Sequence, residues 1–222
     1  MEMSPTGDMC YTGGQDGIIC CWSIPSVNSE IYDPFDPHVL TQRLRGHTDI
    51  IWSLAYHSSD NRLVSAAADG TIRLWDIGAS EPLLNTYNPP VPTARPTSVD
   101  SVSTEPQQLV ASYTGSKALI LDLESGRSVL NFDFSDDDPG LITKILSHPT
   151  MPVTVTGSSD RKIRYFDNNT GKLIHSTVAH VESISSLAID PNGLYLLSGS
   201  HDGSLRLWNM EKRVCLQEIA AH

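Results

Sequence analysis

Along these 222 residues the apolar positions fall into runs of five or six, rich in β-branched side chains and cut apart by glycine, proline, asparagine and aspartate. No stretch sustains an apolar stripe with the 3.6-residue period of a helix. Short apolar runs bounded by turn residues predict strands instead. Pro5-Thr6-Gly7 and Pro191-Asn192-Gly193 predict hairpin turns. Asp-Gly at 16–17, 69–70 and 202–203 supplies the positive backbone φ that tight hairpins demand. Ser125-Gly126 and Asn169-Thr170-Gly171 mark a further turn after the aromatic slot. The pattern predicts an all-β chain.

The strands recur in a fixed frame. Four times an Asp precedes an aromatic residue by six positions: Asp16–Trp22, Asp69–Trp75, Asp160–Phe166 and Asp202–Trp208. Laid without gaps over 1–23, segment 187–209 matches Pro191, Gly193, Gly199, Asp202, Gly203 and Trp208 to Pro5, Gly7, Gly13, Asp16, Gly17 and Trp22. Segments 54–76 and 145–167 fit the same frame, the latter with Phe166 for Trp. A weaker copy over 100–122 carries Leu121-Asp122 in place of Trp-Asp. Steps between aromatic slots of 53, 46, 45 and 42 residues suit a propeller blade of about 40–45 residues. The first step is long because 24–42 holds an extra loop of Pro, Asp and Tyr. Each copy offers four short antiparallel strands. The expected blades are 1–44 (lacking most of its first strand), 45–88, 89–133, 134–178 and 179–222, within a single domain over 1–222.

Charge narrows the function. A net charge of −11 argues against a nucleic-acid binder, whose footprint is a basic stripe. Asp136-Asp137-Asp138 reads as a solvated loop. No apolar run approaches the ~18 residues a membrane span needs, and Glu2 and Asp8 stand where a secretory leader is basic. Cys10, Cys20, Cys21 and Cys215 show neither metal spacing nor a disulfide framework, which points to a reducing compartment and a cytoplasmic location. The Asn168-Asn169-Thr170 sequon is then unused.

Two copies open on a small residue and a histidine, Gly46-His47 and Ala179-His180, each His 28 residues before its Trp. This resembles the WD repeat, the unit of seven-bladed β-propellers. The resemblance implies a hydrogen-bonded tetrad in each blade: His47, Ser65, Asp69 and Trp75, then His180, Ser198, Asp202 and Trp208. The chemistry is sound by itself: a turn Asp accepts from an imidazole, whose other nitrogen meets a hydroxyl, while a buried indole N–H needs an acceptor. Partial tetrads remain in Thr12, Asp16 and Trp22, and in Thr156 and Asp160. In the fourth copy Asp138 sits at the His position and Phe166 at the Trp, and the third copy has none of the four, so these two blades are expected to rest on packing alone.

Longer segments are similar to the propeller of the striatin family: Tyr32-Asp33-Pro34-Phe35-Asp36-Pro37, Arg45-Gly46-His47-Thr48-Asp49, the stretch 166–176 (FDNNTGKLIHS), and Asp190-Pro191-Asn192-Gly193-Leu194-Tyr195. The similarity covers essentially the whole chain. It implies a C-terminal WD-repeat propeller of a non-catalytic scaffold and regulatory subunit joining protein phosphatase 2A to germinal-centre kinases. The phosphatase-binding coiled coil and calmodulin-binding segment of that family precede the propeller and are not among these residues. Met1 aligns with mid-strand Leu187, and Ala221-His222 with Ala179-His180. The chain therefore reads as an incomplete arc of about five four-stranded blades from a seven-bladed ring, a fragment expected to be oligomeric or poorly soluble through its open edges.

Catalytic chemistry finds little footing. Ser200-His201-Asp202 spells a triad by adjacency, but a triad is defined by convergence in space. No His/Cys cluster of metal type and no glycine-rich phosphate loop occurs, so neither metal nor cofactor is expected. His57 and His148 share a turn slot with Asp190 and Ser4, which suggests turn capping. The favoured reading is a protein-interaction scaffold working through blade rims and the loops 24–42 and 88–96, with Tyr32, Phe35 and Tyr87 as candidate partner contacts. The alternatives are a reader of peptides or modified peptides, expected to show an aromatic or Arg cluster on one face, and a propeller enzyme with paired carboxylates.

Overall fold

The structure, a computed structural model, describes residues 1–24, 39–57, 61–134 and 140–220. These residues form twenty strands in five four-stranded antiparallel sheets, each a simple meander in sequence order. The first sheet comprises Glu2–Met3, Met9–Gly13, Ile19–Ser23 and Leu40–Leu44, and the second Ile51–His57, Arg62–Ala67, Ile72–Asp76 and Leu83–Tyr87. Pro96–Ser101, Gln108–Tyr113, Lys117–Asp122 and Ser128–Asn131 make the third. Ile142–Ser147, Val153–Ser158, Lys162–Asp167 and Leu173–Val178 make the fourth. Ile184–Ile189, Tyr195–Ser200, Ser204–Asn209 and Val214–Ala220 make the fifth. This is the all-β architecture of WD-type propeller blades. The chain divides into two compact units, 1–96 with two sheets and 97–222 with three.

The turn chemistry operates as the residue types demand. Gly17, Gly70 and Gly203 take φ of 71°, 90° and 77° after their aspartates. The fourth copy has no glycine there, and Arg161 takes φ 73° in its place, an uncommon conformation for a residue with a Cβ. Each outer strand meets its neighbour with a register shift at the aromatic slot, between Cys21/Trp22, Leu74/Trp75, Ile120/Leu121, Tyr165/Phe166 and Leu207/Trp208.

In unit 1–96 the core lies between the two sheets: Tyr11, Ile19, Cys21 and Leu44 of the first pack with Ile51, Leu54, Leu63 and Trp75 of the second. In unit 97–222, Val110, Ala118 and Ile120 pack with Ile142, Ile145 and Phe166, then Val155, Ile163 and Tyr165 with Ile184, Leu187, Leu196 and Trp208. Middle strands such as Arg62–Ala67 are buried on both faces, so their sequences run apolar rather than alternating. Each large side chain so covered contributes about 1.5–3 kcal/mol.

Candidate functional site

The most organised polar feature of the structure is a buried relay in the second and fifth sheets. In the second, His47 comes from the loop before Ile51–His57, Ser65 from the middle of Arg62–Ala67, Asp69 from the turn that follows, and Trp75 from Ile72–Asp76. Leu63 pairs with Trp75 and Ser65 with Arg73, which sets Trp75 and Ser65 diagonally on one face. The Trp75 indole N–H donates to Ser65 Oγ at 2.8 Å, Ser65 Oγ meets His47 Nε2 at 2.7 Å, and His47 Nδ1 meets Asp69 at 2.8 Å. Asp69 also accepts from the backbone N–H of Thr48 and Thr71 and from the Thr71 hydroxyl. Every donor is used if a neutral imidazole carries its proton on Nδ1 and Ser65 donates to Nε2. Gly46 beside His47 lies close to the Arg73 guanidinium and the Trp75 ring, so a Cβ there would make both give way, although the fifth sheet carries Ala179 in the same slot.

The fifth sheet repeats this group for group. Trp208 donates to Ser198 Oγ at 2.9 Å, Ser198 meets His180 Nε2 at 2.7 Å, and His180 Nδ1 lies 3.1 Å from Asp202. Val181 and Ser204 supply the further donors to Asp202. Burial pushes the His47 and His180 imidazoles below their ordinary value, although Asp69 and Asp202 pull them up. Burial would raise the two carboxyls, but the donors converging on each hold Asp69 low and Asp202 lower still.

The partial copies show what happens when members are missing. In the first sheet Trp22 donates to Thr12 Oγ1 at 2.8 Å, and Asp16 accepts from the Ile18 N–H. In the fourth, Phe166 has no donor to offer, and Thr156 Oγ1 is buried with no partner among the described residues. Asp160 is not idle there, which corrects the expectation of packing alone: the Arg164 guanidinium, 1% exposed, binds both its carboxylate oxygens. Arg164, four residues after Asp160 and opposite Thr156, takes the carboxylate that a histidine holds elsewhere. The third sheet is likewise not purely apolar, since Thr97 Oγ1 meets Ser112 Oγ and donates to the Ile142 carbonyl, both at 2.8 Å.

Of the candidate partner contacts, Tyr32 and Phe35 lie outside the described residues, as does Asp138. Tyr87 is corrected. It ends the outer strand Leu83–Tyr87 opposite Ile72 and is 3% exposed, a core side chain with no face for a partner. Ser200 donates to the carbonyls of Glu182 and Ser183, and Asp202 belongs to His180 rather than to exposed His201, so the adjacent Ser-His-Asp does not converge. His148, Asp190 and Ser4 do accept backbone N–H groups in their turns. No group of His, Cys, Asp or Glu able to hold a metal occurs among the described residues.

The residue overlooked in the sequence is Trp52, 61% exposed. It occupies the bulge between Ile51 and Ser53, the position held by Thr143 in the fourth sheet and Ser185 in the fifth. Thr143 donates to the Gly157 and Ile184 carbonyls and Ser185 to Gly199. An indole in a slot that otherwise takes a small hydroxyl is the signal that the aligned copies held.

Comparison with known proteins fits this pattern. The family described as "WD domain, G-beta repeat" matches residues 1–23, 38–76 and 171–209. Those segments include every Trp of the frame; the unmatched stretch holds the two copies without a Trp. Striatin of Mus musculus is 48% identical over 224 residues, 99% of this chain and 29% of the relative. The chain is a WD-repeat relative of the striatins. Human striatin-3 is 46% identical over 227 residues, covering all of this chain and 28% of the relative, and mouse striatin-4 is 45% identical over 224, covering all of this chain and 30% of the relative. This striatin relative therefore spans under a third of the length of the proteins it matches. Among the described residues no helix is long and apolar enough to cross a membrane.

Proposed function

We propose that this chain is a non-catalytic platform for other proteins, and that its partners belong to phosphatase–kinase assemblies of the striatin type. The observation that carries the reading is the whole-length similarity to striatins. The relays support it: their histidines are buried and tied to the turn aspartates, a use in fixing the blade rather than in meeting a substrate. A reducing, cytoplasmic setting goes with this reading, since the four cysteines show no disulfide spacing. The test is biolayer interferometry of the chain against purified phosphatase 2A subunits and germinal-centre kinases, run beside a panel of hydrolase substrates. Saturable binding to one of these proteins without turnover is expected. Turnover that a single carboxylate substitution abolishes overturns the non-catalytic reading, and binding to none of them overturns the choice of partners.

Trp52 favours a second reading, in which the surface grips a peptide. An exposed indole offers a large, rigid contact at low entropic cost. Trp52→Ala should leave the melting temperature within about 2 °C while weakening capture of peptides from an arrayed library. Unchanged capture removes this reading.

A further inference from the structure

One backbone slot recurs in all five sheets, in the turn that joins the second strand to the third. Gly17, Gly70, Ser116, Arg161 and Gly203 fill it, with φ of 71°, 90°, 62°, 73° and 77°. Glycine meets that demand freely, and a residue with a Cβ does not. Ser116 puts its side chain to use there, donating to the Gly140 carbonyl at 2.8 Å. Arg161 does not: it is exposed, and its guanidinium has no hydrogen bond or ion pair among the described residues. A strained backbone carrying an unused cation points to a role outside the chain.

The surroundings of Arg161 are aliphatic and open. Ser159 N–H donates to the Leu141 carbonyl at 2.8 Å, and the Arg161 carbonyl accepts from Ala179 at 2.8 Å and His180 at 3.3 Å. Leu141 is 46% exposed, and Val178 and Val181, which bracket Ala179-His180, are 62% and 69% exposed. Val181 holds the frame position of Thr48 before the second sheet, which is exposed as well, so the openness belongs to the slot. Two neighbouring acids are engaged: Arg164 binds both oxygens of Asp160, and His180 and the Val181 N–H hold Asp202. Glu182, next to Val181, is exposed.

We propose that Arg161, Leu141, Val178 and Val181 form a docking site for an acidic segment of a partner protein, one that sets a carboxylate between aliphatic side chains. An unpaired guanidinium offers a carboxylate two parallel hydrogen bonds. The three aliphatic side chains keep water from that bond and cover the flanking residues of the segment. A segment bearing Lys instead meets a charge of its own sign. The site deepens the platform reading and rests on it. Glycine would hold this turn with less strain, which lets experiment separate contact from fold.

The probe is a set of fluorescein-labelled octapeptides with Glu between aliphatic residues, read by anisotropy with the intact chain. Matched sets carry Gln or Lys in place of Glu. Members of the Glu set should bind at least about tenfold more tightly than their Gln and Lys counterparts. Arg161→Gly should erase that preference and yet melt about 1–4 °C higher than the wild type. Glu182→Gln removes a repelling charge and should leave the Glu peptides bound as tightly or more so. A Glu set that binds no better than the Gln set, a preference for Lys, a Glu preference that survives in Arg161→Gly, or a lower melt for that variant would each overturn the proposal. A phosphatase subunit or kinase that binds the chain without any Glu preference sinks this site and leaves the platform reading standing. A Glu preference lost in Arg161→Gly, with none of those proteins bound, does the reverse.

Discussion

One strand position carries Ser65 in the second sheet and Thr156 in the fourth, and the two hydroxyls are in opposite circumstances. Ser65 accepts from the Trp75 indole at 2.8 Å and bonds His47 at 2.7 Å. Thr156 is equally buried and has no partner among the described residues. Ser65→Ala orphans two buried polar groups, each worth about 1–3 kcal/mol when unpaired. Allowing for relaxation, the loss should be about 2–4 kcal/mol, or roughly 5–15 °C in melting temperature for a chain of this size. Thr156→Val keeps the shape and removes a hydroxyl that was desolvated without compensation, so it should be neutral or stabilise by about 1 kcal/mol. Urea titration followed by tryptophan fluorescence, with amide exchange to assign the loss to each sheet, measures both. The reasoning fails if Ser65→Ala stays within about 0.5 kcal/mol of the wild type, or if Thr156→Val destabilises by more than about 1 kcal/mol.

Stability should fall with acid in two stages. His47 and His180 are held below 6.5, so the unfolded chain takes up their protons first and stability drops as pH goes below that value. Asp69 and Asp202 are held below 3.8, so a second loss begins there; urea midpoints between pH 8 and pH 3 resolve both stages, and His180→Gln should flatten the first. Arg164→Met strips partly exposed Asp160 of its cation and should cost about 1–2 kcal/mol by the same titration, less than for a fully buried pair. Gly7 and Gly193 share one turn slot and one backbone conformation, φ 73° and 72°. A Cβ on Gly7 meets open space while one on Gly193 meets the His148 ring, so melts should show Gly193→Ala as the more damaging by at least about 1 kcal/mol.

The repeat and its relays are legible in the sequence because local backbone demands fix them. Gly follows the turn Asp in three copies because φ is positive there, and an indole two strand positions from a hydroxyl falls on the same face of a pleated pair. The role of Arg164 was not legible, since Arg73 and Arg206 stand at the same spacing after Asp69 and Asp202, and in those copies it is a histidine that holds the carboxylate. Tyr87 and Trp52 fail for a different reason, and they fail together. Alternation along a strand gives two possible faces, and a one-residue bulge exchanges them. The shift between Leu74 and Trp75 sets the phase of the outer strand and turns Tyr87 inward against Ile72. The shift between Ile51 and Ser53 lifts Trp52 out of the ladder and leaves its ring exposed. Composition alone gives both residues equal standing as contact aromatics; the bulges decide that one belongs to the core and the other to whatever meets this surface.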